Sequence, residues 1–326
     1  MSCAPAPAAR AAPPRANCWR WASTAVSACT SWSAASGPIS ISVRAASCWC
    51  TRTPPPMAAR WRRWTTRPRS VASSALNRQA CLDLEPALAD IGASIAGAIY
   101  TPTEDAGDCL RLCTELERLL RATPGPVDFH FDTPVTALRG ENGRIVALDT
   151  PRGELRADNY VLAGGIGAQA LARRIGLDLR IYPLKGYSLT YTLTADSVAP
   201  MSSISDIGRK VVYARLGQRL RVAGMVDIGA ADAAIDRLRT GSLEADVARF
   251  FPRLNPAGAP QPWAGLRPAR PDGKPLIGAT PWRNLWLNAG HGGLGFTLAA
   301  GSARMLVDLM RGRRPAVDPA AFALAA

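Results

Sequence analysis

Apolar positions recur with the periods of regular structure from Leu76 to the C-terminus. Residues 77–89 read as helix or turn, and 95–100 as a strand. The turn from Thr101 to Asp108 ends on an acidic residue placed to cap a helix over 109–122, since an Asp there satisfies the first free N–H groups. Cys109 and Cys113, one helical turn apart, read as buried thiols rather than as a disulfide or metal pair. A meander follows, with strands over 127–131, 135–138 and 144–149 and a further one ending at 160–163. Asn142-Gly143 between two of these strands is a strong hairpin signal. His130, flanked by Phe129 and Phe131, reads as a structural residue of the first strand. Residues 181–262 alternate as an antiparallel sheet does, with a hairpin of 211–216 and 219–225 turning at Gly217-Gln218. In that region Ser242 is expected to cap a helix running to Phe251, with Asp246 in its first turn. Last come a short apolar strand at 284–289, the loop Gly290-His291-Gly292-Gly293-Leu294-Gly295, and a helix. Leu294, Leu298, Met305, Leu306 and Leu309 share one face of that helix.

The segment 1–75 follows none of these patterns. It holds ten arginines and no Asp, Glu or Lys, so it carries +10 of the net +14. Five of the eight cysteines and six of the nine tryptophans lie there, while Leu, Phe and Tyr are absent. With so few aliphatic positions to bury, the segment is expected to be disordered, or to come from a shifted frame or misplaced start joined near residue 75. Arg and Trp interrupt every apolar stretch that a secretory signal would need. The Arg- and Ser-rich, acid-free composition formally matches a mitochondrial transit peptide, and a basic nucleic-acid arm is the other reading. Because the charge is confined here, no nucleic-acid partner is expected for the rest of the chain. Cys48 and Cys50 lack a second pair at ligand spacing, so no metal site is expected. No apolar run is long enough to span a bilayer, and the expectation is a soluble chain.

A strand, a glycine loop and a helix in succession aim free N–H groups and a helix dipole at an anionic ligand. Gly290, Gly292 and Gly295 spell G-x-G-x-x-G. A dinucleotide-binding unit starting there needs a second strand closed by an acidic residue about 20 residues on. Asp308 lies inside the helix, and the stretch from Gly295 to Ala326 is too short for a βαβ unit, so the loop must serve another part of a cofactor, or packing alone. Gly165-Ile166-Gly167 follows a hairpin strand and lacks the acidic partner too. Arg267, held between Leu266 and Pro268, carries a planar fork that suits a carboxylate; a structural ion pair is the other reading. With two histidines and no metal spacing, hydrolase and metalloenzyme chemistry find little support.

Gly265-Leu266-Arg267-Pro268, Asp272-Gly273, Pro275 and Ile277-Gly278, followed by the glycine loop, resemble the C-terminal signature of the FAD-dependent D-amino-acid oxidase superfamily. Within it they are most similar to the bacterial D-amino-acid dehydrogenases, as are the run YPLKGYSLT at 182–190 and the turn before Cys109. The resemblance covers 76–326. It implies an α/β (α+β) fold: an FAD/NAD(P)-binding Rossmann-like domain, incomplete here, from 127–180 and 263–326, with an antiparallel-sheet substrate domain over 181–262. Residues 76–126 would be linker and substrate-side elements. The family's first Rossmann strand, glycine turn and helix have no counterpart in residues 1–75.

The implied cofactor is FAD. Val135, Gly164 and Gly165 would approach its adenosine and pyrophosphate side, although Ile166-Gly167-Ala168 stands where the family more often has a Trp-Ser pair. Gly290, Gly292, Gly293, Leu294, Gly295, Phe296 and Thr297 would approach its isoalloxazine side. The implied reaction is oxidative deamination of a D-amino acid to a 2-oxo acid and ammonia, with electrons passing to a quinone or other acceptor. In the resemblance Arg267 anchors the carboxylate, the Gly293 carbonyl holds the amine and His291 stands near the flavin. Tyr187 and Tyr213 would line the substrate pocket, with plain strand packing as the other reading. Arg270, where the dehydrogenases often have Thr, would widen or recharge its entrance. The implied place is cytoplasmic, with peripheral association at the inner membrane face as a variant. The alternative is a truncated, inactive relative without FAD, acting at most as a binding protein.

Overall fold

A computed structural model of the chain describes residues 42–43, 47–51, 73–123, 125 and 127–325. Alternating strands build an eight-stranded sheet in the order Gln261–Ala269, Tyr182–Thr192, Arg219–Ile228, Val211–Leu216, Ser203–Asp206, Ser47–Thr51, Gly97–Thr101 and Ser74–Leu76. All neighbours are antiparallel except Ser203–Asp206 and Ser47–Thr51. Ser47–Thr51 corrects part of the disorder expected over 1–75. Its backbone joins two strands whose facing edges would otherwise lack ladder partners, a demand that needs no aliphatic pattern. Ser42–Val43, paired with Ala106–Gly107, and residues 73–75 at the start of Ser74–Leu76 are ordered too, and the other residues of that segment lie outside the described ones.

One face of this sheet is covered by the helix Arg237–Phe250. Tyr187, Leu189, Val211, Tyr213, Leu220 and Val222 meet Leu243, Val247 and Phe250 in a buried core. The helix begins earlier than expected. Asp236 is its N-cap, accepting from the Leu238 N–H at 2.8 Å, and Ser242 lies inside it. Asp246 is buried mid-helix and bonds Arg249 at 3.2 Å and Arg209. Both predicted hairpin turns form: Asn142 and Gly143 take φ of 48° and 72°, which fits a type I′ turn, and Gly217 takes 63°.

The second core gathers two segments distant in sequence. Leu276–Ala279, Leu285–Ala289 and Tyr160–Leu162 form a three-stranded sheet, the last two strands parallel. A separate meander comprises Ala137–Glu141, Arg144–Thr150 and Gly153–Leu155. Asn284 ties the two sheets together. Its Oδ1 accepts from the Ile145 N–H at 2.8 Å, and its Nδ2 donates to the carbonyls of Ile145 at 2.9 Å and Asp158 at 3.1 Å. Asn284 is buried, so Asn284→Ala leaves those three backbone groups unpaired. Urea unfolding is expected to show a loss of about 3 kcal/mol, with each orphaned group costing about 1 kcal/mol or more. A variant within 0.5 kcal/mol of the parent (about the noise of a neutral surface change) contradicts this account.

Three further expectations change. Residues 127–131 pair with no strand. Phe129 and Phe131 instead stack on each other at 5.8 Å, with Arg121 4.6 Å from the Phe129 ring, and His130 is exposed. Cys109 and Cys113 are exposed free thiols, because the helix Cys109–Ala122 buries none of its residues. Its N-cap is as expected, Asp108 accepting from the Arg111 N–H at 3.1 Å. Leu294 is half-exposed as the N-cap of the helix Gly295–Met310, and Leu298, Met305 and Leu306 form the buried face without it. Among the described residues, no helix is long and apolar enough to cross a membrane and no metal-binding group of side chains exists.

Candidate active site

Gly164 and Gly290 each follow the C-terminal end of one of two neighbouring parallel strands, Tyr160–Leu162 and Leu285–Ala289. That edge is where open α/β sheets receive ligands. A cavity of about 330 Å³ opens at the first of these ends, lined by Val135, Leu138, Tyr160, Leu162, Gly164 and Gly167 among others. Val135 and Gly164, two of the residues expected at the cofactor, thus share one apolar cleft. Gly165 beside them takes φ of 57°, a conformation that favours glycine.

The other expected cluster forms at the second strand end. Gly290 and Gly292 take φ of 80° and 57°, and the loop runs into the helix Gly295–Met310 with no side-chain cap. No side chain therefore competes with a ligand for the start of this helix. Gly293, Leu294, Phe296 and Thr297 are exposed there. No strand follows this helix among the described residues, in keeping with the rejection of a dinucleotide-binding unit starting at Gly290.

The end of the strand Gln261–Ala269 lies along this loop. A Cβ on Gly293 would stand 3.8 Å from Arg267 Cδ, one on Gly292 3.7 Å from Ala269 Cβ, and one on Gly290 3.0 Å from Arg270 Cδ. Arg267 and Gly293 are thus brought together. The Arg267 guanidinium lies over Gly186 of the adjoining strand, close enough that a Cβ there would overlap it. It is half-buried, no hydrogen bond or ion pair joins it to any described residue, and burial pulls its pKa down from the ordinary value. An arginine so placed has paid part of its desolvation without an acceptor, so it suits an anionic ligand better than a structural ion pair.

Register also assigns the neighbours of Arg267. Leu184 pairs with Arg267, Gly186 with Gly265 and Ser188 with Trp263, so these residues share one face of the sheet. Trp263 covers Gly265, and Arg221 stands 5.3 Å from the Trp263 ring while donating to Ser188 Oγ at 3.0 Å. Gly186, Trp263, Arg221 and Ser188 were not foreseen; their signal is the strand pairing, which no local pattern carries. Tyr187 and Tyr213 do not join them. Tyr187 is three positions from Leu184, hence on the opposite face, buried in the core with its hydroxyl on Asp227 Oδ2 at 2.7 Å. Tyr213 is packed between Phe250 and Phe251 at 5.1 and 5.2 Å, and burial raises its pKa. Neither tyrosine lines the face that carries Arg267.

His291 is held in one tautomer. Ser302 Oγ donates to the Leu298 carbonyl at 2.8 Å, so it accepts from His291, whose Nε2 at 2.8 Å must carry the proton. Burial pushes the imidazole pKa down to about 4. A histidine lowered from its unfolded value of about 6.5 stabilises the fold fully above that value. The contribution disappears as pH falls from about 6.5 to about 4. Chemical denaturation across that range is expected to show a shallower pH slope for His291→Gln than for the parent. Parallel slopes contradict the assignment.

The family model described as FAD dependent oxidoreductase matches residues 6–309. The chain belongs to this family. The match starts upstream of Leu76, so the likeness expected to begin there reaches into the arginine-rich segment. The D-amino acid dehydrogenase of Paramagnetospirillum magneticum is 43% identical over 238 residues, covering 73% of this chain and 56% of that protein. The D-amino acid dehydrogenase 2 of Ralstonia nicotianae is 42% identical over 259 residues, covering 77% of this chain and 61% of that protein. The chain therefore spans little more than half the length of these relatives. Among solved structures, glycine oxidase from Geobacillus kaustophilus superposes with a TM-score of 0.84 at 24% identity, over 95% of this chain and 83% of that one. L-proline dehydrogenase from P. horikoshii gives 0.81 at 15% identity, over 93% and 81%. These likenesses establish the mixed α/β fold with antiparallel sheets that the family's FAD-dependent members share.

The residues present fit such a cofactor. Two glycine turns lie at one sheet edge, an apolar cleft opens at one of them, and an uncapped helix stands at the other. A side chain at Gly290 would displace Arg270.

Proposed function

We propose that this chain binds FAD and oxidises a D-amino acid to its 2-oxo acid and ammonia, with the electrons passing to a quinone or another acceptor. The observation that carries this reading is Arg267, a half-buried cation without a protein partner among the described residues, lying between Gly186 and the glycine loop. Its fork would hold the substrate carboxylate by two charge-assisted hydrogen bonds. The carbonyl of Gly293, a residue whose Cβ position lies 3.8 Å from Cδ of the same arginine, would accept from the substrate amine and so orient Cα. Val135, Gly164 and Gly165 would hold the adenosine and pyrophosphate side of FAD, and residues 290 and 292–297 its ring side. When bound, FAD supplies the hydride acceptor. The start of the helix Gly295–Met310, which no side chain caps, would face whatever negative charge gathers beside it. Trp263 and the apolar residues of the Arg267 face would keep water from the substrate. Tyr187 and Tyr213 act at a distance, by supporting the sheet on which Arg267 rides.

Support for the substrate comes from the two dehydrogenases above, which share about four residues in ten with this chain. A cytoplasmic location with peripheral contact at the inner membrane face, and the division of the chain at 76, 127, 181 and 263, belong to the same reading. The strand Gln261–Ala269 straddles the last of those boundaries. The test is to purify the chain with added FAD, record its flavin absorbance, and mix it anaerobically with D- and L-amino acids. Retained flavin that bleaches with D-amino acids is expected. A protein that retains no flavin, or retains it without bleaching, leaves the alternative of an inactive relative.

A further inference from the structure

Arg270 lies one residue past the strand that carries Arg267, and its side chain is 14% exposed. Its Nη2 reaches Asp272 Oδ2 at 3.4 Å, a long contact to a carboxylate that is itself half in solvent and accepts from the Lys274 N–H at 3.1 Å. The Nε and Nη1 groups are fully buried and have no partner among the described residues. The aliphatic stem is fixed against the glycine loop: a Cβ on Gly290 would meet Arg270 Cδ at 3.0 Å, Cγ at 3.2 Å and Ile181 Cγ1 at 3.6 Å. Burying a cation with two unsatisfied donors is costly, and an uncharged side chain of similar length would fill the same space without that cost. The nearby imidazole does not partner them either, its Nε2 being bonded to Ser302 and no hydrogen bond joining the ring to Arg270.

We propose that Arg270 is the counter-charge of the cofactor's pyrimidine ring, its two unpartnered N–H groups holding the oxygen-bearing edge that becomes anionic on reduction. This rests on the FAD reading above and adds to it a residue that sets how readily the bound ring takes electrons. A guanidinium there favours the more negative state of the ring over the neutral one, so it raises the reduction potential.

The test compares the parent with Arg270→Thr, Arg270→Gln and Arg270→Lys, each loaded with FAD. The readouts are the midpoint potential of the bound flavin and its affinity for sulfite, an anion that adds to electron-poor flavins. Arg270→Thr and Arg270→Gln are expected to lower the potential and weaken sulfite binding by about tenfold or more, the equivalent of one charge-assisted contact. Arg270→Lys is expected to keep most of both, because the charge remains. If either uncharged variant folds and keeps the parent's potential and sulfite affinity, the assignment is overturned. If FAD and ADP affinities fall together while the potential stays fixed, the guanidinium serves the pyrophosphate and the assignment is also overturned. A parent that takes up no FAD sinks the enzymatic reading and this one together. Failure confined to the variants' potentials sinks this one alone.

Discussion

Arg267→Met is expected to reduce kcat/KM for D-amino acids by about 30- to 5,000-fold, corresponding to the 2–5 kcal/mol typical of removing one partner of a hydrogen-bonded charge pair. The loss is expected with flavin content unchanged, because Arg267 does not line the cleft around Val135 and Gly164. Arg267→Lys keeps the charge but loses the planar fork, so an intermediate loss of about 10- to 100-fold is expected. Stability gives the opposite sign from activity. Arg267 makes no hydrogen bond or ion pair with a described residue and carries an uncompensated desolvation cost. Replacing it by an apolar side chain is therefore expected to leave the melting temperature unchanged or raised. Steady-state kinetics beside thermal melts decide the matter. A Met variant that oxidises D-amino acids as the parent does removes Arg267 from the substrate site, and one that melts well below the parent makes it a structural residue.

That division between activity and stability follows the division between what the sequence displayed and what it concealed. The glycine loop, the apolar strand before it and the helix after it were legible because each is local: backbone conformations at Gly290 and Gly292 require glycine, and the helix period shows in Leu298, Met305 and Leu306. The pairing Val211–Leu216 with Arg219–Ile228 was legible for the same reason, with the turn chemistry at Gly217 in plain view. What stayed hidden depends on pairing between distant segments. Tyr187 reads as a pocket residue in the run YPLKGYSLT, yet its face is settled by register against Gln261–Ala269, and one step along a strand turns a side chain to the other side. Tyr213 takes the packing reading, which depends on Phe250 and Phe251 closing over it from a helix distant in sequence. Ser242 looked like a cap because Asp236, six positions earlier, was hidden in a run without apolar periodicity. The strand Ser47–Thr51 had no pattern to read at all, its place being defined by the edges of Gly97–Thr101 and Ser203–Asp206.

Gly186→Ala is expected to disable the same site without touching any group that meets the substrate. Gly186 and Gly265 face each other across two strands, and each leaves room that a large side chain enters: the Arg267 guanidinium over the first, the Trp263 ring over the second. Adding a single methyl at Gly186 forces the guanidinium aside. The cost in stability is small, because the displaced atoms are the end of a flexible side chain and Gly186 is not among the residues of positive φ. Ala in a strand interior also gains about 0.5–1 kcal/mol over Gly from backbone entropy, which offsets much of the crowding. Catalysis is far less tolerant, since displacing a positioning group by about 1 Å costs about 100-fold. The expected result is a variant that melts with the parent, retains flavin, and loses about 10- to 100-fold in kcat/KM. A double-mutant cycle shows whether the loss runs through Arg267: once Arg267→Met is present, adding Gly186→Ala is expected to change nothing further. Independent, additive losses would mean that Gly186 acts by another route, and the arginine would no longer be the group whose position the paired glycines define.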